Sequence, residues 1–141
     1  MEQTTVFFVG IHNKPGMKPL DSQTMSGKII DAIIKELPFK CVKTNLCEIE
    51  YTPTDWNQIN EAGITWGEKY PRKKTDIVVL LGAWVHDNFF WNDCKIVKLP
   101  HPASFISRVN KENYIKKAID KINEQLDPLM NRSSIKKSRL S

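Results

Sequence analysis

"DIVVLLG", Asp76 to Gly82, is apolar almost without interruption between an acid and a glycine. A strand with one wet side alternates apolar and polar residues, and this run does not. It reads as a strand covered on both faces, the mark of a parallel sheet between helix layers. Upstream, "TDWNQINEAGITW" sets Trp56, Ile59, Gly63 and Trp66 at helical spacing, with Thr54 as N-cap and the tryptophans as packing residues. Before it, "FKCVKTNL" mixes Phe39, Cys41, Val42 and Thr44 with lysines and reads as a strand wet on one side. "SGKIIDAIIKEL" carries Ile29, Ile30, Ile33, Ile34 and Leu37 on one helix face and stops at Pro38. "TTVFFVG", ending in Gly10, reads as a first buried strand. Downstream of Gly82, "AWVHDNFFW" begins a helix and "CKIVKL" is a fourth strand. "NKENYIKKAIDKINEQL" is a helix with Asn110 as cap and Pro128 as its close.

The elements therefore alternate β-α-β-α-β-α-β-α. This pattern predicts a three-layer α/β/α fold around a four-stranded parallel sheet, with the apolar third strand inside and the order 2-1-3-4. Right-handed crossovers bring every strand's carboxyl end to one edge, where open α/β sheets bind ligands. Four segments meet there: "IHNKPGM", "NLCEIEYTP", "AWVH" and "PHPASFISR".

A chain of 141 residues suits one domain with a real core. Cys41, Cys47 and Cys94 form no C-x-x-C pair. A zinc ribbon, an iron–sulfur ligand set and a disulfide framework are therefore not indicated, and reduced thiols point to an intracellular, cytoplasmic protein. No metal or other cofactor is expected. The N-terminal "MEQTTVFFVG" reads as neither a signal peptide nor a membrane span. The net charge is +5, and Arg132, Lys136, Lys137 and Arg139 supply four of those charges, which leaves +1 over residues 1–130. The expectation is a nearly neutral folded body, 1–130, and a basic, disordered tail, 131–141. That tail is a solvated end or an electrostatic arm for nucleic acid.

The edge segments carry polar groups but no nucleotide-triphosphate signature. Neither a Walker A motif nor G-x-G-x-x-G can be written in "GIHNKPGMKP", and "SGK" lacks the flanking residues of a phosphate loop. His12 and Asn13 lie in a tight turn, where Asn13 either caps the turn or holds a water or carbonyl. Asn45, ending the second strand, offers amide donors and an acceptor that suit the edge of a base or of an amide. In "PHPAS", Pro100 and Pro102 fix the backbone around His101. The imidazole is then either a packed residue or a rigid donor to a developing oxyanion.

In order, "VFFVGIHNKPG", "VKTNL", "DIVVLLGAW" and "KLPHPASFISR" resemble the uracil-DNA glycosylase superfamily over roughly residues 5–120. The H-P segment carries most of the likeness. The resemblance implies a minimal, cluster-free enzyme that flips a damaged base and hydrolyses its N-glycosidic bond. It implies that His101 hydrogen-bonds the leaving base and that Asn13, or else His12, positions the water. Asn45 would read the uracil edge. Phe105 or Ile106 would wedge the duplex, with Ser104 in the same DNA-binding segment and Arg108 holding a phosphate. The implied partners are DNA and a free uracil-like product, handled by a monomer. The chain departs from the family in three ways: a longer first turn, no aspartate there, and no aromatic after it to stack on the base. Met17 or Met25 would have to serve instead.

Two other readings stand beside this one. One is a binding protein that kept the fold and lost catalysis. The other is a hydrolase of free nucleosides or nucleotides, which would need Asp21, Glu48 and Glu50 to cluster.

Overall fold

The computed structural model describes residues 4–104 and 108–126, without the side chains of 104, 108, 109 and 126. The strands are β1 (Thr5–His12), β2 (Lys40–Cys47), β3 (Ile77–Leu81) and β4 (Lys95–Leu99). The helices are α1 (Met25–Lys35), α2 (Trp56–Lys69), α3 (Ala83–Asn88) and α4 (Arg108–Leu126), with a short 3-10 turn at Pro102–Ser104. All the strand pairs are parallel and the order is β2-β1-β3-β4, as expected from the alternation. β3 lies between β1 and β4, which explains its unbroken apolar run. Its five residues are all buried.

Alternation along the inner strands sorts the core into two halves. Val6 and Phe8 of β1 and Ile77, Val79 and Leu81 of β3 pack with Ile29, Ile30 and Ile33 of α1 and Tyr114, Ala118 and Ile122 of α4. Phe7, Val9, Val78 and Leu80 face the other way, onto Trp66 of α2 and Val85 of α3. Thus α1 and α4 cover one face, and α2 and α3 the other. Thr44 is the polar member of the second half. Its hydroxyl donates to the Phe8 carbonyl at 2.8 Å and accepts from Trp66 Nε1 at 2.9 Å, so its burial leaves nothing unpaired.

At the amino edge the buried Asp76 joins three strands. Its carboxylate accepts from the Thr5 amide at 2.9 Å and the Lys73 amide at 2.8 Å, and its carbonyl accepts from the Lys95 amide at 3.1 Å. These bonds fix where β1, β3 and β4 begin relative to one another.

Several local expectations need correction. Asp55, not Thr54, caps α2, its carboxylate accepting from the Asn57 amide at 2.7 Å. The two neighbours have similar capping chemistry, so spacing alone could not choose between them. Trp56 is not a packing residue: it stands 68% exposed on the first turn of α2, whereas Trp66 is buried. Asn110 does not cap α4, which already begins at Arg108. β2 buries its carboxyl half, Thr44 to Cys47, instead of one alternate face, because it enters the sheet edge from solvent. β1 continues past Gly10 to His12. The expected tail, 131–141, lies outside the described residues.

Candidate functional site

A cleft of about 240 Å³ opens at the carboxyl edge of the sheet between β1, β2 and the segment after β4. Gly10 and His12 of β1, Met17, Asn45 and His101 line it. The fold therefore brings four of the sequence-predicted site residues, His12, Met17, Asn45 and His101, to one place. Asn13 is not among the lining residues but is tied to them: its Oδ1 accepts from Asn45 Nδ2 at 2.7 Å. Gly10 is required by this pairing. A Cβ built at residue 10 falls 2.4 Å from Asn45 Oδ1, so any larger residue would push the amide out of place.

His101 is held from several directions. Leu99, two residues before it, offers its carbonyl to the Gly82 amide at 2.9 Å and to His86 Nε2, also at 2.9 Å. The same His86 nitrogen donates to the Leu80 carbonyl at 3.1 Å, which clamps the ends of β3 and β4 together. Tyr114 of α4 donates its hydroxyl to the Pro100 carbonyl at 2.6 Å. Gly82, at φ +93°, lets its backbone pass so near His101 that an added Cβ would meet the His101 Cβ at 3.2 Å. Finally, the Ala103 amide donates to His101 Nδ1 at 3.1 Å. An acceptor at Nδ1 means that the proton sits on Nε2, so the ring is a neutral donor. Burial, with the nearby Lys14 ammonium adding to it, holds the imidazole pKa below its ordinary value.

The loop after β1 is fastened to the segment after β2. The Asn13 amide donates to the Ile49 carbonyl at 2.8 Å, and the Gly16 amide to Glu50 Oε2 at 2.6 Å. His12 Nδ1 meets Thr52 Oγ1 at 2.7 Å. Lys14, Lys18, Leu20, Thr24 and Ser26, which spacing did not single out, line the cleft too, together with Asp21, one of the carboxylates the nucleoside-hydrolase reading named. The path of the loop puts them there. Leu20 takes φ +48°, and Asp21 closes the turn by accepting from the Lys18 amide at 3.1 Å and the Gln23 amide at 2.9 Å. Those backbone donors, first Gln23 and then Lys18, lower the Asp21 pKa and make its carboxylate a weak base.

Met17 supplies an apolar wall, while Met25 is 43% exposed at the start of α1 and is absent from the cleft lining. Ser104 ends the short turn and Arg108 begins α4. Phe105 and Ile106 lie outside the described residues.

The carboxylates a nucleoside hydrolase would need are each engaged by other groups. Asp21 closes its turn, Glu50 holds Gly16, and Glu48 binds Lys69 Nζ at 2.5 Å and the Tyr70 hydroxyl at 2.6 Å. Among the described residues no group of three or more His, Cys, Asp or Glu side chains is placed to hold a metal ion. Burial pushes the thiols of Cys41, Cys47 and Cys94 up to about 11, so they are poor nucleophiles. Among the described residues no helix is long and apolar enough to cross a membrane. No protein-family model matches the chain, and no curated protein is significantly similar to it.

Proposed function

We propose that this protein is a DNA glycosylase that excises uracil or a related damaged base. One observation carries the reading: a neutral His101, its proton on Nε2, shares a cleft with the Asn45 amide at the carboxyl edge of the sheet. On this reading Asn45 reads the carbonyl and N–H edge of a flipped base. The bond between sugar C1′ and the base nitrogen breaks with its electron pair passing to the base. His101 Nε2–H donates to the oxygen on which that charge gathers, a contact stronger in the transition state than in the ground state. Water then bonds to C1′, its proton leaves to solvent, and the base anion takes up a proton from solvent. The segment Ser104–Arg108 would meet the DNA strand and Met17 would wall the base. The reduced thiols suit a cytoplasmic protein, here read as a monomer.

A second reading has its own support: a nucleobase- or DNA-binding protein with little or no turnover. Asn13 Oδ1 is engaged by Asn45, and a carboxamide cannot take a proton from water.

The decisive experiment incubates the full chain with oligonucleotides containing uracil, hypoxanthine or a mismatch and cleaves abasic sites with alkali. Strand breaks at uracil are expected. Binding of uracil-DNA without breaks would favour the second reading, and absence of both would overturn the two together. An Asn13→Asp variant sharpens the choice. Its carboxylate still accepts from Asn45 Nδ2 and supplies a base for water, so turnover should rise by about 10- to 100-fold.

A further inference from the structure

The charge the proposed reaction places on the base meets only a neutral imidazole in the roles assigned so far. Yet the cleft contains two lysines, Lys14 and Lys18, that those roles leave idle. Lys14 lines it together with His101 and Asn45, its side chain is exposed, and its ammonium makes no hydrogen bond or ion pair among the described residues. Lys43 and Lys69 are committed to Asp31 and Glu48, and of the two lysines in the cleft it is Lys14 whose charge reaches the His101 ring. Asp21, the acid of the same cleft, has its oxygens turned to backbone amides.

We infer that Lys14 is a further catalytic residue, whose ammonium contacts the anionic base beside His101. The inference rests on the glycosylase reading and deepens it: the cleft is built for a planar base that carries negative charge. Lys14 donates an N–H without giving up its proton, and the electron pair of the broken C–N bond stays on the base. The two groups divide the task. His101 supplies a fixed, directional donor, and Lys14 supplies the net charge that a neutral ring lacks. A flexible ammonium at the mouth also meets an anion without requiring a buried unpaired charge in the empty cleft.

The ionisable groups around His101 are His12, Lys14, Lys18 and Asp21 along the cleft. Tyr114 on the Pro100 carbonyl and His86 on the Leu99 carbonyl stand behind it. Of these, Lys14 is the charge that acts on the ring, in addition to burial. Removing it should therefore let His101 protonate at higher pH.

The test measures binding of uracil and of 5-nitrouracil, a close analogue that ionises at neutral pH, to the wild type, Lys14→Met and Lys14→Arg. The side chain is exposed, so the variants should fold. Histidine-ring NMR titration accompanies each, with a His101→Gln variant identifying the His101 signal among the three histidines. The wild type should prefer the anionic analogue by about tenfold, the scale of one close charge–charge contact near a protein surface. Lys14→Met should lose that preference while holding uracil as before, and its His101 titration should move upward. Lys14→Arg should retain the preference. An anion preference undiminished in Lys14→Met would overturn the role of Lys14 and leave the base-binding reading standing. Failure of the wild type to bind either base would overturn both.

Discussion

The two edges of this sheet use polar groups differently. At the amino edge, Asp76 accepts backbone N–H groups of Thr5 and Lys73 and offers its carbonyl to Lys95, so that its bonds go to the alignment of strands. At the carboxyl edge, polar groups join loop to loop: Asn45 to Asn13, Glu50 to Gly16, Thr52 to His12. The first arrangement is directed at the backbone. The second borders a cleft that His12, Asn45 and His101 line. His101 Nδ1 is occupied while Nε2 carries the proton, and Asn45, which gives an amide hydrogen to Asn13, lines the same cleft. One edge determines the architecture, and the other uses that architecture as a support.

If this contrast holds, damage at the two edges should separate. The largest effect is expected from His101→Ala, with turnover on uracil-DNA falling by about 10²- to 10³-fold, the usual cost of one oxyanion donor. Affinity for the DNA and the urea midpoint should change far less. Equal losses of binding and turnover would make His101 a packing residue. Asp76→Ala should do the reverse. It strands two backbone donors, so unfolding free energy in urea should drop by about 3 kcal/mol while base binding by the folded fraction is unchanged.

Gly10→Ala is the intermediate case, because it sits on a central strand but touches the cleft. Its Cβ would displace Asn45, so base affinity should weaken by about tenfold with a stability loss of only about 1 kcal/mol. Loss of stability without loss of affinity would break the link between Gly10 and the amide. Glu50→Ala should be milder still. Releasing the Gly16 amide to solvent should cost about 1 kcal/mol or less and appear as faster amide exchange at residues 13–17.

The smallest effect is in pH. His101 titrates below the ordinary imidazole value, so the ring stays neutral as pH falls through about 6.5 and the rate should persist there. The unfolded chain takes up that proton first. Stability should therefore decline slightly over the same interval, and the loss is complete once pH falls through the folded-state value. A rate that drops with the ordinary imidazole value would mean that His101 is not shielded as described.

Much of the architecture was legible because it follows from periodicity. The unbroken run at 77–81 read as an inner parallel strand, and the isoleucines of α1 announced a single apolar face. The roles of Asp76 and Asp55 were not legible, since an acid beside a strand or a helix does not declare which amides it will meet. The site was half legible. Asn45 lies near the end of β2 and His101 just past β4, where topology carries them to a common edge. Lys14, Lys18 and Asp21 reach the cleft only through the turn made by Leu20 at positive φ and the bonds of Glu50 and Asp21, and such a path has no repeating pattern to read.

The place of β2 at the margin of the sheet has a further consequence. Eight residues long, it presents an outer side that no other strand of the sheet covers, a shape on which another extended chain can add. Lys40 stands exposed at its entry, and Lys43 is drawn aside to Asp31 and Ser22. Lysines at such an edge oppose pairing with another chain. Replacing both with threonine would leave the fold its core and remove its protection from its own copies, so that concentration, more than temperature, would decide how long the protein stays dispersed.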